Sequence, residues 1–336
     1  MDEVMNGTSR RNGRALVLGA SGFLGSHVVK ALAASGRPVR ILTRPSSDTT
    51  MTDHLDLERR RGDVFHRDTL RDAMDGCQSI FYCIVDARSW LRDSTPLFET
   101  NVEGSRVAME AALAKGIERF VYTSSIVTIG LNPSGIASEA DEFNWEDRAP
   151  PYVMTRVIAE RQLLDFCERG LPGIACNVAT TFGGHDHEPT PHGRLLKLTV
   201  EGKLPIYWNT RMSVVGIKDA AEAILAAEQH GRVGERYIVA DRMMDIAEAT
   251  SKTAAFAGVK PPRIEVPMWA VAGATSVVEK IMHAVGRDTV MTKSSITLQG
   301  IMGDFDNRKA RIELGWRPRP MEVSLREAAA WFKQHA

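Results

Sequence analysis

Short apolar runs alternate with stretches in which apolar residues recur every three or four positions through the first half of this 336-residue chain. That alternation is the pattern of βαβ units wound around a parallel sheet. Ala15-Leu16-Val17-Leu18 is apolar without interruption, as a strand must be when helices cover both faces of its sheet. Val28, Val29 and Leu32 follow at helical spacing, and Gly36 supplies a carboxyl-terminal stop. Val39-Arg40-Ile41-Leu42 reads as a second strand, with further strands at 80–84, 120–123 and 174–177 and helices at 101–115 and 152–168 between them. After Asn177 the pattern loosens into a loop rich in Gly, His and Pro over 182–193, then resumes with a strand at Tyr237-Ile238-Val239 and a helix at 269–284. No internal repeat and no low-complexity tract interrupts it.

Gly19, Gly22 and Gly25 stand between the first strand and the first helix, in the run Gly19-Ala20-Ser21-Gly22-Phe23-Leu24-Gly25. Such glycines serve a tight turn, close approach of backbone to a pyrophosphate, and packing of helix on strand. The helix amino terminus then offers unpaired N–H groups to phosphate oxygens. The spacing is G-x-x-G-x-x-G, and an ordinary small-residue turn is the bland alternative. The expectation is an α/β protein with a Rossmann-type, doubly wound parallel sheet binding a dinucleotide. A flexible tail is expected over 1–13 and the nucleotide unit over 14–180, its sheet completed from about 208–240. Residues 181–336 should form a smaller, interleaved substrate-binding region. An NAD-selective site carries an acid about 20 residues beyond the loop. Here that place holds Thr43-Arg44, and a guanidinium suits a 2′-phosphate, so NADP(H) is expected over NAD(H), with a solvated surface arginine the alternative.

Composition narrows the picture further. With 42 basic and 42 acidic residues, no overall field favours nucleic acid or an anionic membrane. Cys77, Cys83, Cys167 and Cys176 lack metal-type pairing and read as reduced thiols, which fits a cytoplasmic protein. Residues 1–14 have no apolar core for a signal peptide. The most apolar later stretch, 266–278, is shorter than the ~18 residues a membrane span needs, though it suits an apolar substrate or a membrane surface.

Arg119-Phe120-Val121-Tyr122-Thr123-Ser124-Ser125 ends in hydroxyls at the strand edge where open α/β sheets bind ligands. Tyr152 opens a helix, with Arg156 one turn on along the same face. Together with the glycine loop and Asn101-Val102-Glu103-Gly104, these segments make the chain similar to the extended short-chain dehydrogenases/reductases. Within that family it resembles the hopanoid-associated sugar epimerase and dihydroflavonol-reductase-like branch. Asp86 to Trp90, Pro189-Thr190-Pro191 with Gly193-Arg194, Gly234-Glu235-Arg236-Tyr237 and Leu314-Gly315-Trp316-Arg317-Pro318 extend the likeness from Arg14 to Phe332.

The resemblance implies that Ser125 hydrogen-bonds a substrate carbonyl while Tyr152 exchanges a proton with its oxygen. A lysine four residues after the tyrosine ordinarily lowers its pKa and grips the nicotinamide ribose. This chain has Arg156 there, which keeps the charge but cannot relay a proton. The family correspondence also sets Asp63 and Val64 beside the adenine, and Ile84, with Val85, where relatives carry small residues near the cofactor. Asn101 fixes a water, bends its helix or simply caps it.

His185-Asp186-His187-Glu188 with His192 has metal-binding side chains but no hydrolytic-zinc spacing, so polar loop or substrate contact is the reading and no metal is expected. Arg59-Arg60-Arg61 reads as a solvated turn, and the stripe over 269–282 as core or lid. The expected activity is NADP(H)-dependent oxidation or reduction of a small-molecule carbonyl or secondary alcohol. A nucleotide-sugar epimerase or dehydratase and a non-catalytic NADP-binding sensor, suggested by Arg156, are the rivals. The family also implies a homodimer through the helices at Asn101 and Tyr152.

Overall fold

The computed structural model describes residues 13–208, 210–290, 292 and 303–335. The expected tail over 1–13 therefore lies, apart from Gly13, outside the described residues. Seven strands form the main sheet: β1 (Ala15–Leu18), β2 (Val39–Thr43), β3 (Glu58–Arg61), β4 (Ser79–Tyr82), β5 (Arg119–Ser125), β6 (Gly173–Val178) and, further on, β9 (Arg236–Val239). All pair in parallel, in the order β9-β6-β5-β4-β1-β2-β3. The chain leaves β1 first toward β2 and β3 and later toward β4 and β5, so the strand order reverses between β1 and β4. At such a switch point the crossover helices diverge and leave a crevice at the carboxyl ends of the strands.

Alternation of side chains sends Val17, Phe81 and Val121 to one face, and Leu16, Leu18, Ile80, Tyr82, Phe120 and Tyr122 to the other. The first face is covered by α1 (Phe23–Ala34) and α6 (Ile217–His230), which pack on each other. The second is covered by α2 (Arg67–Met74), α3 (Gly104–Lys115) and α4 (Pro151–Glu168). Helix α3 does not run straight from residue 101: Thr95–Phe98 forms a short helix, Glu99–Glu103 one π-helical turn, and only then does α3 begin.

Three sequence readings change. Arg59-Arg60-Arg61 is not a turn but most of the edge strand β3, whose Glu58 pairs with Arg14 at 3.2 Å, Arg40 at 2.9 Å and Arg60 at 2.8 Å. A sheet edge is a place where charged side chains are favoured, because they block edge-to-edge pairing. Of the stretch 208–240, only β9 joins the main sheet. Strand β8 (Arg211–Gly216) instead pairs with β7 (Thr180–Phe182) and β10 (Arg242–Asp245) in a second sheet. That sheet is packed by α5 (Pro191–Val200), α7 (Ile246–Ala257) and α9 (Met321–Gln334). Finally, α8 (Met268–Ala284) turns Trp269, 79% exposed, with Val277 and Ile281 to solvent. This face is therefore not core. No helix among the described residues is long and apolar enough to cross a membrane, and all four cysteines are free thiols.

Candidate active site

The crevice begins at the glycine loop. Gly19 has φ +85°, and a Cβ there would stand 2.7 Å from the Cys83 carbonyl carbon, so β1 and the end of β4 approach as only glycine allows. A Cβ on Gly25 would meet the Gly19 carbonyl oxygen at 2.0 Å, which makes Gly25 the residue that lets α1 sit down on the loop. A Cβ on Gly22 would find only the Gly19 oxygen, at 3.4 Å, leaving open space beside the backbone. Gly22 begins α1 with no side chain capping the helix, so the first-turn amides around Phe23, Leu24 and Gly25 remain for an anion, with half-buried Ser21 beside them. The loop fits a pyrophosphate.

Arg44 follows β2 and is exposed, and its guanidinium meets no hydrogen-bond or ion-pair partner among the described residues. The next acid, Asp48, is engaged elsewhere, accepting bonds from the Thr50 amide at 2.9 Å and from His187 at 2.8 Å. Asp63 and Val64 follow β3; Asp63 accepts a bond from the Phe65 amide at 3.1 Å, and Val64 is buried. Ile84 is half-buried and Val85 exposed beyond β4.

At the other end, Ser125 closes β5 and caps a short 3-10 turn (Ile126–Thr128), its Oγ accepting from the Val127 amide at 3.4 Å. Helix α4 packs along β5 and this turn, and Tyr152, in its first turn, is half-buried. Arg156, one turn on, is only 1% exposed. Its guanidinium stacks over the Tyr122 ring, 5.2 Å from the centroid, and its Nη2 donates to the Thr123 carbonyl. Nε and Nη1 have no hydrogen-bond partner among the described residues, nor do the buried hydroxyls of Tyr82 and Tyr122. Burial pushes the Tyr122 hydroxyl up to about 12 against the opposing pull of Arg156. The ring of Tyr82 stacks on Tyr122 at 5.6 Å, so hydroxyl-bearing rings line the cation's pocket. The cation thus stands one turn behind Tyr152, covered by protein, with Nε and Nη1 unpaired among the described residues.

Asn101 resolves into a specific brace. Its amide donates to the Asp86 carbonyl at 2.9 Å and to the Thr155 hydroxyl at 3.0 Å, while its oxygen accepts from the Asp86 amide at 2.7 Å. Thr155 in turn donates to the Tyr152 carbonyl at 2.7 Å. One side chain in the π-helical turn thus ties the segment after β4 to the turn that carries Tyr152. The sequence singled out Asn101, and Asp86 at the head of the Asp86–Trp90 match, but not Thr155, whose place beside Arg156 was the only available signal.

The histidine-rich loop is wired into the cofactor half. The Gly184 carbonyl meets Nε2 of His27 on α1 at 3.2 Å, and His187 reaches Asp48 beyond β2. Burial, helped by Lys30, pushes the His27 imidazole down to about 3. His185 stacks on Trp331 at 4.4 Å. Asp186, pushed up to about 6 by burial, accepts from the Thr190 amide at 3.1 Å and hydroxyl at 2.9 Å, bracing the start of α5. His192 and Gly193 lie in α5 rather than in the loop.

A family model described as the NAD dependent epimerase/dehydratase family matches residues 15–240. A putative dihydroflavonol 4-reductase of Synechocystis sp. is 29% identical over 95% of this chain and 94% of its own length. Sterol demethylase protein B of Methylococcus capsulatus is 29% identical over 95% of this chain and 98% of its own. Among solved structures, that of gox2253 superposes with a TM-score of 0.85 at 33% identity, covering 96% of this chain and 99% of the other.

Proposed function

Because the chain belongs to the NAD dependent epimerase/dehydratase family, and is thereby a nicotinamide-dependent oxidoreductase of the extended short-chain type, we propose that it is an NADP(H)-dependent reductase of a carbonyl, or dehydrogenase of the matching secondary alcohol, with Tyr152 as acid/base. The carrying observation is the convergence at one sheet edge of Ser125 at the end of β5 and Tyr152 at the start of α4, with a buried cation one turn behind. The nicotinamide, when bound, supplies or accepts the hydride. Ser125 donates a hydrogen bond to the substrate oxygen, and Tyr152 gives that oxygen its proton.

Arg156 holds its charge at every working pH and cannot serve as a proton relay. Arg156 is the cation assigned to the nicotinamide-ribose end of the crevice. Half-exposed Tyr152 then recovers its proton from solvent or from that ribose. The cradle of Gly19, Ser21, Gly22, Phe23, Leu24 and Gly25 binds the pyrophosphate, Arg44 the 2′-phosphate, and Asp63, Val64 and Ile84 line the adenosine and nicotinamide walls.

For substrate we favour an apolar ring system, on the names of the two full-length relatives and the solvent-facing Trp269, Val277 and Ile281. Fluorescence titration with NADPH and NADH, followed by NADPH oxidation across a carbonyl panel, tests the assignment. Tyr152→Phe is expected to lower turnover by about 10²–10⁴-fold with NADPH affinity kept; unchanged turnover removes Tyr152 from the reaction. The epimerase reading draws on a UDP-glucose 4-epimerase of Rhizobium meliloti, 29% identical over 54% of this chain. Inverted product with no net change at the nicotinamide absorbance band would decide for it.

A further inference from the structure

Glu160 lies on the same face of α4 as Tyr152 and Arg156, two turns and one turn further along, and is 3% exposed. A buried carboxylate persists only when its oxygens are satisfied, and here the donors come from around Ser125. One oxygen, Oε2, accepts from the Ser124 hydroxyl, lies 2.9 Å from the Thr128 hydroxyl and 2.6 Å from the Asn177 amide. The other, Oε1, lies 3.4 Å from Nη1 of Arg236 on β9. Thr128 Oγ1 also stands 2.8 Å from the Ser125 carbonyl, so its single proton is shared between that carbonyl and Glu160. Asn177, opposite Ser124 in the β5–β6 register, reaches the same Ser125 carbonyl at 3.4 Å.

Ser125 is therefore gripped before, after and from the neighbouring strand by groups that all end on one carboxylate. That carboxylate is carried by the helix that carries Tyr152. We propose that Glu160 is a positioning residue: it locks the Ser125 turn to the Tyr152 helix and so sets where the serine hydroxyl stands relative to the phenol. The inference rests on the assignment of Ser125 and Tyr152 to the reaction. Glutamine in its place cannot serve both sides. With its oxygen toward Ser124, Thr128 and Asn177, its amide faces the Arg236 guanidinium; turned over, its amide faces three donors.

The test compares wild type, Glu160→Gln, Ser125→Ala and the double variant, following NADPH oxidation with phenanthrenequinone and, separately, NADPH binding by fluorescence. Misplacement of a reacting group by about 1 Å costs about a hundredfold in rate. Glu160→Gln is expected to lower kcat by about tenfold to a hundredfold, with NADPH affinity unchanged, because the phosphate cradle lies at the other end of the crevice. In the Ser125→Ala background the same substitution should add little, since the group it positions is already gone. Equal losses in both backgrounds, or full kcat in Glu160→Gln, overturn the proposal. Should Ser125→Ala fall below detection, Thr128→Val takes its place in the cycle with the same expectation.

Full turnover in Tyr152→Phe would instead sink the assignment on which the inference rests, a distinct result. A crystal structure of Glu160→Gln supplies the readout that needs no substrate. The turn from Ser125 to Thr128 should move relative to Tyr152, and an unmoved turn overturns the proposal.

Discussion

Gly19 and Gly25 hold the phosphate end of the crevice by what they lack, since a methyl group on either would collide with backbone at 2.7 or 2.0 Å. The reaction end is built from the opposite material. Around Arg156 a stacked tyrosine, one strand carbonyl and, among the described residues, two unpaired guanidinium nitrogens and two unpaired phenols define the site mostly by side chains. A backbone-built site is intolerant of any added atom but indifferent to what surrounds it. The proposed reaction, with arginine where the resemblance implies lysine, requires that charge and neighbours have adjusted together. Specific chemistry is thus negotiable at one end of the crevice and not at the other.

The strongest way to break this contrast is Gly25→Ala. The added carbon overlaps the Gly19 carbonyl, so we expect NADPH binding to be lost and stability to fall by about 3 kcal/mol, read by titration and by thermal unfolding. Retained affinity would show that the loop yields as side chains do. Arg44→Ala probes a side chain at the backbone-built end. Losing a charge-assisted bond is worth about 1.5–3 kcal/mol, so NADPH should bind about tenfold to a hundredfold more weakly while NADH is unaffected. Equal weakening of both would remove Arg44 from the 2′-phosphate.

Arg156→Lys sharpens the other side. Lysine keeps the charge but lacks the planar fork that stacks on Tyr122 while bonding Thr123. A fall in kcat of about tenfold with NADPH affinity nearly constant marks a site adapted to arginine; a rise in kcat marks a degenerate one. The last test concerns His27, where the two regions meet. Its folded pKa of about 3 lies below the ordinary 6.5. The unfolded chain therefore takes a proton that the native imidazole refuses, and the contribution present above 6.5 is lost as pH falls toward 3. In denaturant unfolding, His27→Gln should lose about 3 kcal/mol less stability than wild type between pH 7 and 4. Asp186, with its pKa raised to about 6 from 3.8, runs the opposite way in both proteins, its contribution fading as pH rises through that interval. Parallel curves for the two proteins would place the acid sensitivity elsewhere.

Much of the cofactor half was legible because its signals are local. The apolar run 15–18, the helical spacing of Val28, Val29 and Leu32, and glycines three apart all act within a few residues of themselves. Strand β3 was not legible, because an edge strand loaded with Glu58 and three arginines has the composition of a solvated turn until β2 is there to pair with it. Helix α8 was legible as a helix, but its apolar stripe said nothing about whether another element would cover it. Asn101 and Asp86 stood out by their motifs; that they bond across 15 residues, and that Thr155, 54 residues from Asn101, joins them, did not.

The sequence by itself determined the parallel α/β architecture, the phosphate-binding turn, and the residue types available for chemistry at Ser125, Tyr152 and Arg156. Backbone preference and the period of apolar positions are properties of short segments and survive without knowledge of the rest. Tertiary structure alone decided that Arg156 turns inward onto Tyr122, that Glu160 gathers Ser124, Thr128, Asn177 and Arg236, and that His27 reaches Gly184. Each of those outcomes depends on which distant groups share a buried space. There, a charge or hydrogen-bonding atom must find its partner among whatever the fold has brought within reach.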